Sequence, residues 1–494
     1  MKSKESDRGR SILRRGRAVV LAFLLATGCS LSHQVREEVH TAFEQRFGNV
    51  EAEAAPYAQV PVQHEEGEEA EASSPALQPA RSLRDYLVLA LKENPDIKAA
   101  RETVRARAER VRQVTALPDP FLQTKTLPEP VRTAEGDNPF VLGISQKLPV
   151  PAKLDEAGRI ALQETRMAIE ALQQTRLRVL ADVKRTYFRL YVLDRSIEIT
   201  EANQSLLQGL IDVARTQVAA GRRTQDDVLR AQVELSNLEA ELIDLRQRRI
   251  TAAARLNELL DRSPDEPIPS PEDFDIRRVD LTLDDLFARA EKANPELKRV
   301  REQIERDRHG LKLAKLASWP DFSIGFEWIL MDPRKPFKPP INLQTGRRPP
   351  FSRLSEAATD NWAINVGLSL PIWFDKIQGG IEEARRKLEA SRYRYRSARN
   401  RIHFQIEDAL ERVRSQESLA RLFRDTIIPQ AEQTYRVSQA SYSAGTSDFL
   451  DVIDNWRKWL VFSIQYYRLL GELERSLADL EQAVGLSLSD TGAP

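Results

Sequence analysis

The sequence is poor in the residues that build most reactive centres. Its 494 residues include one cysteine, Cys29, which excludes an intrachain disulfide and a cysteine-based metal cluster. The five histidines are scattered without ligand spacing, which argues against a histidine metal site. Lysine plus arginine (74) equals aspartate plus glutamate (74), so no excess of positive charge points to nucleic acid as a partner. No nucleophile, phosphate-binding or dinucleotide motif is present, and we expect neither an enzyme nor a cofactor.

The N-terminus is predicted to direct export. A basic segment precedes a short apolar run, residues 18–26, that is too short to span a bilayer. The run leads to Thr27-Gly28-Cys29, which resembles the bacterial lipoprotein box, whose cysteine is fatty acylated and becomes the mature N-terminus. The resemblance implies a signal peptide over residues 1–28, a lipid anchor at Cys29 and, with Ser30 next, delivery to the outer membrane. The alternative is an ordinary signal peptide with an incidental cysteine.

An internal repeat follows a glutamate-rich segment. Residues 29–80 have few large apolar side chains, so we expect a partly disordered tether. Beyond it, Asn94-Pro95 recurs as Asn294-Pro295 and Pro118-Asp119 recurs as Pro320-Asp321. We therefore divide the remaining chain into two repeats, residues 81–275 and 276–494.

Each repeat contains one very long segment rich in helix-forming residues. Residues 152–220 and 376–444 comprise 69 residues each, and each segment ends before a glycine. With the shorter helices that return, they predict long helical hairpins over residues 152–260 and 376–486. Pro429 is predicted to bend the second long helix or to interrupt its hydrogen bonds.

Two strand pairs are predicted, at about 120–149 and 321–371. In the second pair apolar residues alternate with small or polar ones over 322–330 and 362–370, nine residues each, which is close to the length of a tilted membrane strand. A half-buried soluble hairpin is the alternative. Four strands cannot close a barrel, because membrane barrels start at about eight strands. If the strands cross a membrane, several chains must share one barrel, and the polar loop 331–361 lies at its far surface.

The repeat, the strand pairs and the long helices together resemble the TolC family of outer-membrane efflux channels. Residues 143–154 (GISQKLPVPAKL) are most similar to the CusC/CzcC heavy-metal branch, although Ala152 replaces its glycine. The resemblance implies a mainly α-helical homotrimer in which four strands from each chain form a 12-stranded β-barrel, continued by a periplasmic α-helical barrel. It also implies a passive conduit for heavy-metal cations or drugs, set in outer-membrane lipid and working with a periplasmic adapter and an inner-membrane RND pump.

The most specific motif lies where the long helices end. Gly221 is followed by Asp227-Val228, and Gly445 by Asp451-Val452, at the same spacing. Glycine ends a helix because it adopts the left-handed conformation, and the residues after it can cap the next helix. We therefore expect hairpin tips here, and the resemblance implies that they contact the adapter through four residues: Gly221, Thr224, Gly445 and Ser447. The alternative is that Gly221, Gly445 and Thr224 are only turn residues, with no further role.

The carboxylates of the motif are less readily explained by a turn. Asp227, Asp451 and Asp454 are expected beyond the first helical turn, where the helix dipole does not account for them. The resemblance implies that they belong to the periplasmic gate: Asp227 bonds to Tyr442, while Asp451 and Asp454 form rings that attract cations.

The position of the family's gating arginine is different in this chain. It is occupied by Ser447, so Arg222 or Arg223 would have to replace that arginine from the other repeat.

A periplasmic coiled-coil adapter or scaffold lipoprotein is the competing interpretation. It would have similar hairpins but would need β-rich lipoyl-like modules, and the sequence contains none.

Overall fold

The computed structural model describes residues 82–133, 136–221, 223–276, 282–332, 341, 343–346 and 359–488. The predicted signal peptide, Cys29, the tether, Arg222 and most of the loop 331–361 lie outside these ranges. The chain forms two compact units. Of the described residues, one unit contains Ala106–Thr165 and Glu302–Arg392, and the other contains residues 82–105, 166–301 and 393–488.

The two repeats share one order of elements: two short helices, two strands, a long helix and a returning helix. In repeat 1 these are α1 (Leu83–Glu93), α2 (Pro95–Thr115), β1 (Phe121–Thr133), β2 (Gly136–Leu148), α3 (Pro151–Ala219) and α4 (Gln225–Leu259). In repeat 2 they are α5 (Leu283–Ala293), α6 (Pro295–Leu316), β3 (Phe322–Asp332), β4 (Asn361–Leu368), α7 (Phe374–Leu422), a π-helix (Phe423–Ile427), α8 (Ile428–Ser443) and α9 (Phe449–Val484). None of the helices in the described ranges combines the length and apolarity needed to cross a bilayer.

The repeated Asn-Pro pairs explain how each repeat starts. The Asn94 carboxamide accepts hydrogen bonds from the N–H groups of Asp96 and Ile97, so it caps α2, and it donates to the Leu259 carbonyl at 2.9 Å. Asn294 caps α6 in the same way and donates to the Ala483 carbonyl at 2.7 Å. In both repeats one buried asparagine therefore joins the helix pair to the end of the returning helix.

Apolar cores stabilise the unit that contains residues 166–301, and each repeat contributes a separate core to it. In repeat 1, Leu87, Leu91 and Ile97 pack in one cluster with residues of α3 and α4. In repeat 2, Leu286 and Leu297 pack in a cluster with residues of α7 and α9. A third cluster surrounds the hairpin ends and contains residues from both repeats: Leu210, Val228, Tyr442, Phe449 and Trp456 are among its members.

The second long helix contains an interruption where proline predicted one. Its backbone changes to the π form over Phe423–Ile427, and the Ile428 N–H bonds to the Phe423 carbonyl, directly before Pro429. The first long helix has 69 residues, whereas α7, the π-helix and α8 together have 70 (49 + 5 + 16). A π turn accommodates one additional residue in a helix. Both long helices end two residues before their glycines.

The four strands form one antiparallel sheet in the order β1-β2-β3-β4. Leu148 at the end of β2 pairs with Phe322 at the start of β3, and this pairing joins the two repeats. The strands β1 and β4 are the edges of the sheet, and within the described chain each has one neighbour. β1 extends to Thr133 despite its prolines, with an irregularity between Thr126 and Val131, because an edge strand tolerates proline.

The two faces of the sheet differ in character. One cross-strand row consists of Leu122, Ile144, Phe326 and Ile364, and all four side chains are exposed. The adjacent row, on the opposite face, consists of Gln123, Gly143, Glu327 and Ala363. A Cβ atom on Gly143 would lie 3.2 Å from the Cγ atoms of both Gln123 and Glu327, so these side chains lie across the glycine. The sheet therefore has an exposed apolar face and a polar face with small side chains.

Candidate functional site: the hairpin tips

Glycine in the left-handed conformation forms the turn at both hairpin tips. Gly221 follows α3 with a φ of 69° and Gly445 follows α8 with a φ of 80°. The residues predicted to cap the returning helices lie at the N-cap positions, but only one of them makes a capping bond. Thr224 is the N-cap residue of α4 and makes no side-chain capping bond, whereas Asp448 is the N-cap residue of α9 and accepts from the Phe449 N–H at 2.8 Å.

A buried hydrogen bond joins the two tips of one chain. The Tyr442 hydroxyl donates to Asp227 Oδ2 at 3.1 Å, with Tyr442 1% and Asp227 8% exposed. The Phe449 ring lies 5.2 Å from the Tyr442 ring and helps to exclude water. Burial, followed by the negative charge of Asp227, raises the pKa of Tyr442 to about 12. The hydroxyl therefore stays protonated as a hydrogen-bond donor at neutral pH.

Arg223 adds a second connection between the tips. Its guanidinium carbon lies 5.1 Å from the centre of the Tyr442 ring, within the range of a cation–π contact. The same group donates to the Ser447 carbonyl and lies 3.9 Å from Asp448 Oδ1. Of the two arginines proposed from the sequence, Arg223 thus lies on the tyrosine, whereas Arg222 is outside the described residues. We call Arg223, Asp227, Tyr442 and Asp448 the tip cluster.

The other predicted carboxylates are exposed. Asp451 accepts a hydrogen bond from the Ser447 hydroxyl at 3.1 Å, and Asp454 pairs with Lys458 at 2.7 Å. The expectation that all the carboxylates lie beyond the first turn is wrong. Asp227 and Asp451 lie in the first turns of α4 and α9, where the positive end of the helix dipole favours them.

The tips are not equivalent, although their sequences repeat. The counterpart of Tyr442 in repeat 1 is Val218, and that of Asp227 in repeat 2 is Asp451. Valine has no hydroxyl, so this pair cannot reproduce the Tyr442–Asp227 hydrogen bond. The buried hydrogen bond therefore occurs once in each chain, between Tyr442 and Asp227, and Val218 and Asp451 form no equivalent of it.

Sequence reasoning did not select two residues that support the site. Asp448 faces Arg223, and the Trp456 indole N–H donates to Asn203 Oδ1 at 2.9 Å in the cluster around the tips. The spacing from Gly445 predicted a cap near Asp448 but not its cationic neighbour. In the described ranges, no three histidine, cysteine or acidic side chains lie close enough together to hold a metal ion.

A small antiparallel sheet with one exposed apolar face and two long helical hairpins form a fold that is similar to solved structures of outer-membrane channels. The profile of the outer membrane efflux protein family matches residues 86–262 and 286–486. The chain belongs to this family. It is accordingly an outer-membrane efflux channel and not an enzyme, and the alternative of an adapter or scaffold is not favoured.

Known relatives agree with this assignment. The cobalt-zinc-cadmium resistance protein CzcC of Cupriavidus metallidurans is 23% identical over 420 residues, covering 82% of this chain and 90% of CzcC. A crystal structure of CusC matches with a TM-score of 0.68 at 15% identity, covering 84% of this chain and 99% of CusC. The outer membrane protein VceC of Vibrio cholerae matches with a TM-score of 0.66 at 18% identity, covering 82% and 96%. The predicted resemblance and the mainly helical fold with a small sheet are confirmed.

Proposed function

We propose that three copies of this chain form the outer-membrane duct of a tripartite efflux assembly for heavy-metal cations. The observation that carries the proposal is the four-stranded sheet, whose edge strands β1 and β4 each have one neighbour within the described chain. In hydrocarbon an unpaired strand edge costs several kcal/mol for each unsatisfied backbone group. Pairing of β4 with β1 of the next copy removes both edges, and three copies supply 12 strands.

The tip cluster supports a gate at the periplasmic end of the duct. The Tyr442–Asp227 bond links the two hairpins of one chain, and its burial makes the closed arrangement sensitive to a single substitution. Asp451 and Asp454 are exposed and would repeat three times around the axis of a trimer. Rings of carboxylates attract cations and disfavour anions. A periplasmic adapter that contacts the tips, and an RND pump that supplies the energy, complete the assembly.

Two observations support heavy-metal cations as the substrate class. The relative CzcC is a cobalt-zinc-cadmium resistance protein, and the hairpin tips are acidic. We expect a deletion strain to become sensitive to cobalt, zinc and cadmium salts, and the wild-type gene to restore resistance. Sensitivity to dyes and antibiotics with unchanged metal resistance would contradict the metal assignment but leave the efflux function intact. Particles of one chain in detergent, without conductance in planar bilayers, would contradict the duct itself.

The lipid anchor is tested separately at Cys29. We propose that this residue is acylated, because it ends a short apolar export segment and is the sole cysteine. Replacing Cys29 with serine is expected to abolish incorporation of radiolabelled palmitate into the protein, because the thiol that carries the lipid is gone. A wild-type protein that takes up no label would instead favour an ordinary signal peptide.

A further inference from the structure

An ion pair joins the repeats where the sheet meets the helices. Lys153, the third residue of α3, donates to Asp321 Oδ1 at 2.7 Å and to the Trp319 carbonyl at 2.8 Å. Both side chains are largely buried, with 18% and 17% exposed. Burial opposes ionisation of Asp321, yet the hydrogen bond and charge of Lys153 hold its pKa below the ordinary value. The pair thus connects repeat 1 to the segment that leads into β3.

The repeat contains the same two residue types at the corresponding positions. Lys376 is the third residue of α7, as Lys153 is of α3, and Asp119 stands in Pro118-Asp119 as Asp321 stands in Pro320-Asp321. Neither Lys376 nor Asp119 has an ion-pair partner among the residues that the structure describes, and both are exposed. The two settings differ in two ways. Pro120 is an additional residue between Asp119 and β1, and five residues connect β4 to α7, whereas two connect β2 to α3.

The order of the strands explains why one pair forms and the other does not. Lys153 follows β2 and Asp321 precedes β3, and these strands are neighbours whose ends pair at Leu148 and Phe322. Lys376 follows β4 and Asp119 precedes β1, and these strands are the opposite edges of the sheet. Within one chain the second pair therefore cannot form through neighbouring strands.

We propose that Lys376 of one copy of this chain pairs with Asp119 of the next copy, wherever β4 of one sheet meets β1 of another. The partner is a second copy because the contact repeats, with the same charges, the one that Lys153 and Asp321 make inside the chain. The carbonyl of Leu117 corresponds to that of Trp319 and supplies the second acceptor. The proposal rests on the proposed trimer and specifies the residues that close its ring.

Carbodiimide cross-linking tests the contact directly, because it joins a lysine amine to a carboxylate only where the two groups touch. In intact outer membranes we expect a Lys376–Asp119 cross-linked peptide, identified by mass spectrometry, in covalent dimers and trimers. The Lys153–Asp321 peptide serves as the internal positive control, since it joins residues of one chain. Lys376→Arg is the matched variant: it keeps the positive charge but cannot be coupled, so the covalent oligomers joined through this pair should disappear.

Charge reversal provides a second readout. Lys376→Asp or Asp119→Lys alone should lower the temperature at which the oligomer dissociates, and the double reversal should restore it. Oligomers that yield the Lys153–Asp321 peptide without the Lys376–Asp119 peptide, and whose dissociation temperature does not respond to reversal, would overturn the proposed contact while the trimer stands. Particles of a single chain would contradict the trimer as well.

Discussion

Replacing Tyr442 with phenylalanine, or Asp227 with asparagine, is expected to raise the conductance of the channel in planar bilayers. The phenylalanine removes the hydroxyl that donates to Asp227, and a hydrogen bond to a charged group contributes about 1.5–3 kcal/mol. Its loss should shift the ratio of closed to open tips by roughly 10-fold or more in each chain. Because the two residues form one bond, the double variant should exceed the single variants only slightly.

Asp226 provides the matched control for this experiment. It precedes Asp227 in the chain, is exposed, and pairs with Arg230 of the same helix at 2.6 Å. Asp226→Asn makes the same chemical change without breaking a contact between hairpins, so the conductance should stay at the wild-type value. Wild-type conductance in both Tyr442→Phe and Asp227→Asn would place the gate elsewhere.

The ionisation of Tyr442 gives the same bond a pH dependence. Its pKa is raised to about 12, so the neutral hydroxyl favours the closed tips fully below about pH 10, the ordinary tyrosine value. That contribution is lost as the pH rises through 12, because a phenolate cannot donate and would repel Asp227. Wild-type conductance should therefore increase over this range, whereas Tyr442→Phe should show no such step.

Replacing Lys184 with methionine is expected to lower the free energy of unfolding far more than removal of an exposed ion pair. Lys184 on α3 donates to Glu481 on α9, and both side chains are buried, with 6% and 9% exposed. Methionine fills similar space but leaves the carboxylate of Glu481 without this ammonium group. Breaking a buried ion pair by removal of one partner costs about 3–5 kcal/mol. The thermal unfolding midpoint, followed by circular dichroism at the helix band, should fall accordingly.

Arg248 provides the comparison for an exposed pair. It pairs with Asp244 at 2.7 Å on α4, with 55% and 45% exposed, and such surface pairs contribute about 0–1 kcal/mol. Arg248→Met should therefore shift the midpoint little. Combining Lys184→Met with Glu481→Leu should recover much of the loss, since two apolar groups can replace a buried pair. Equal shifts for Lys184→Met and Arg248→Met would contradict this account of the pair.

Much of the fold could be predicted because its elements are long and repeat. Asn94-Pro95 and Asn294-Pro295 are local signals, and each asparagine caps the helix that follows it. The returning helices could not be placed to the residue, because Thr224 makes no side-chain cap and α4 starts directly after it. The first turn therefore includes Asp227, whereas the sequence predicts this residue deeper in the helix.

The tip cluster shows where sequence reasoning reaches its limit. The resemblance pairs Asp227 with Tyr442, but the choice between Arg222 and Arg223 depends on where each side chain lies after the turn. The 5.1 Å approach of Arg223 to the Tyr442 ring depends on packing between residues more than 200 positions apart, which no local pattern encodes. The roles of the tip residues in gating stay predictions for conductance measurements.

The π turn at Phe423–Ile427 keeps the tip in phase with the rest of its helix. An α-helix advances by about 1.5 Å and turns by about 100° with every residue, so one additional residue would otherwise rotate everything beyond it. Tyr442 lies beyond that turn, and a rotation of this size would direct its hydroxyl away from Asp227. A backbone distortion that ends fifteen residues before Tyr442, and makes no contact with Asp227, thus sets the direction of the Tyr442 side chain on which this hydrogen bond depends.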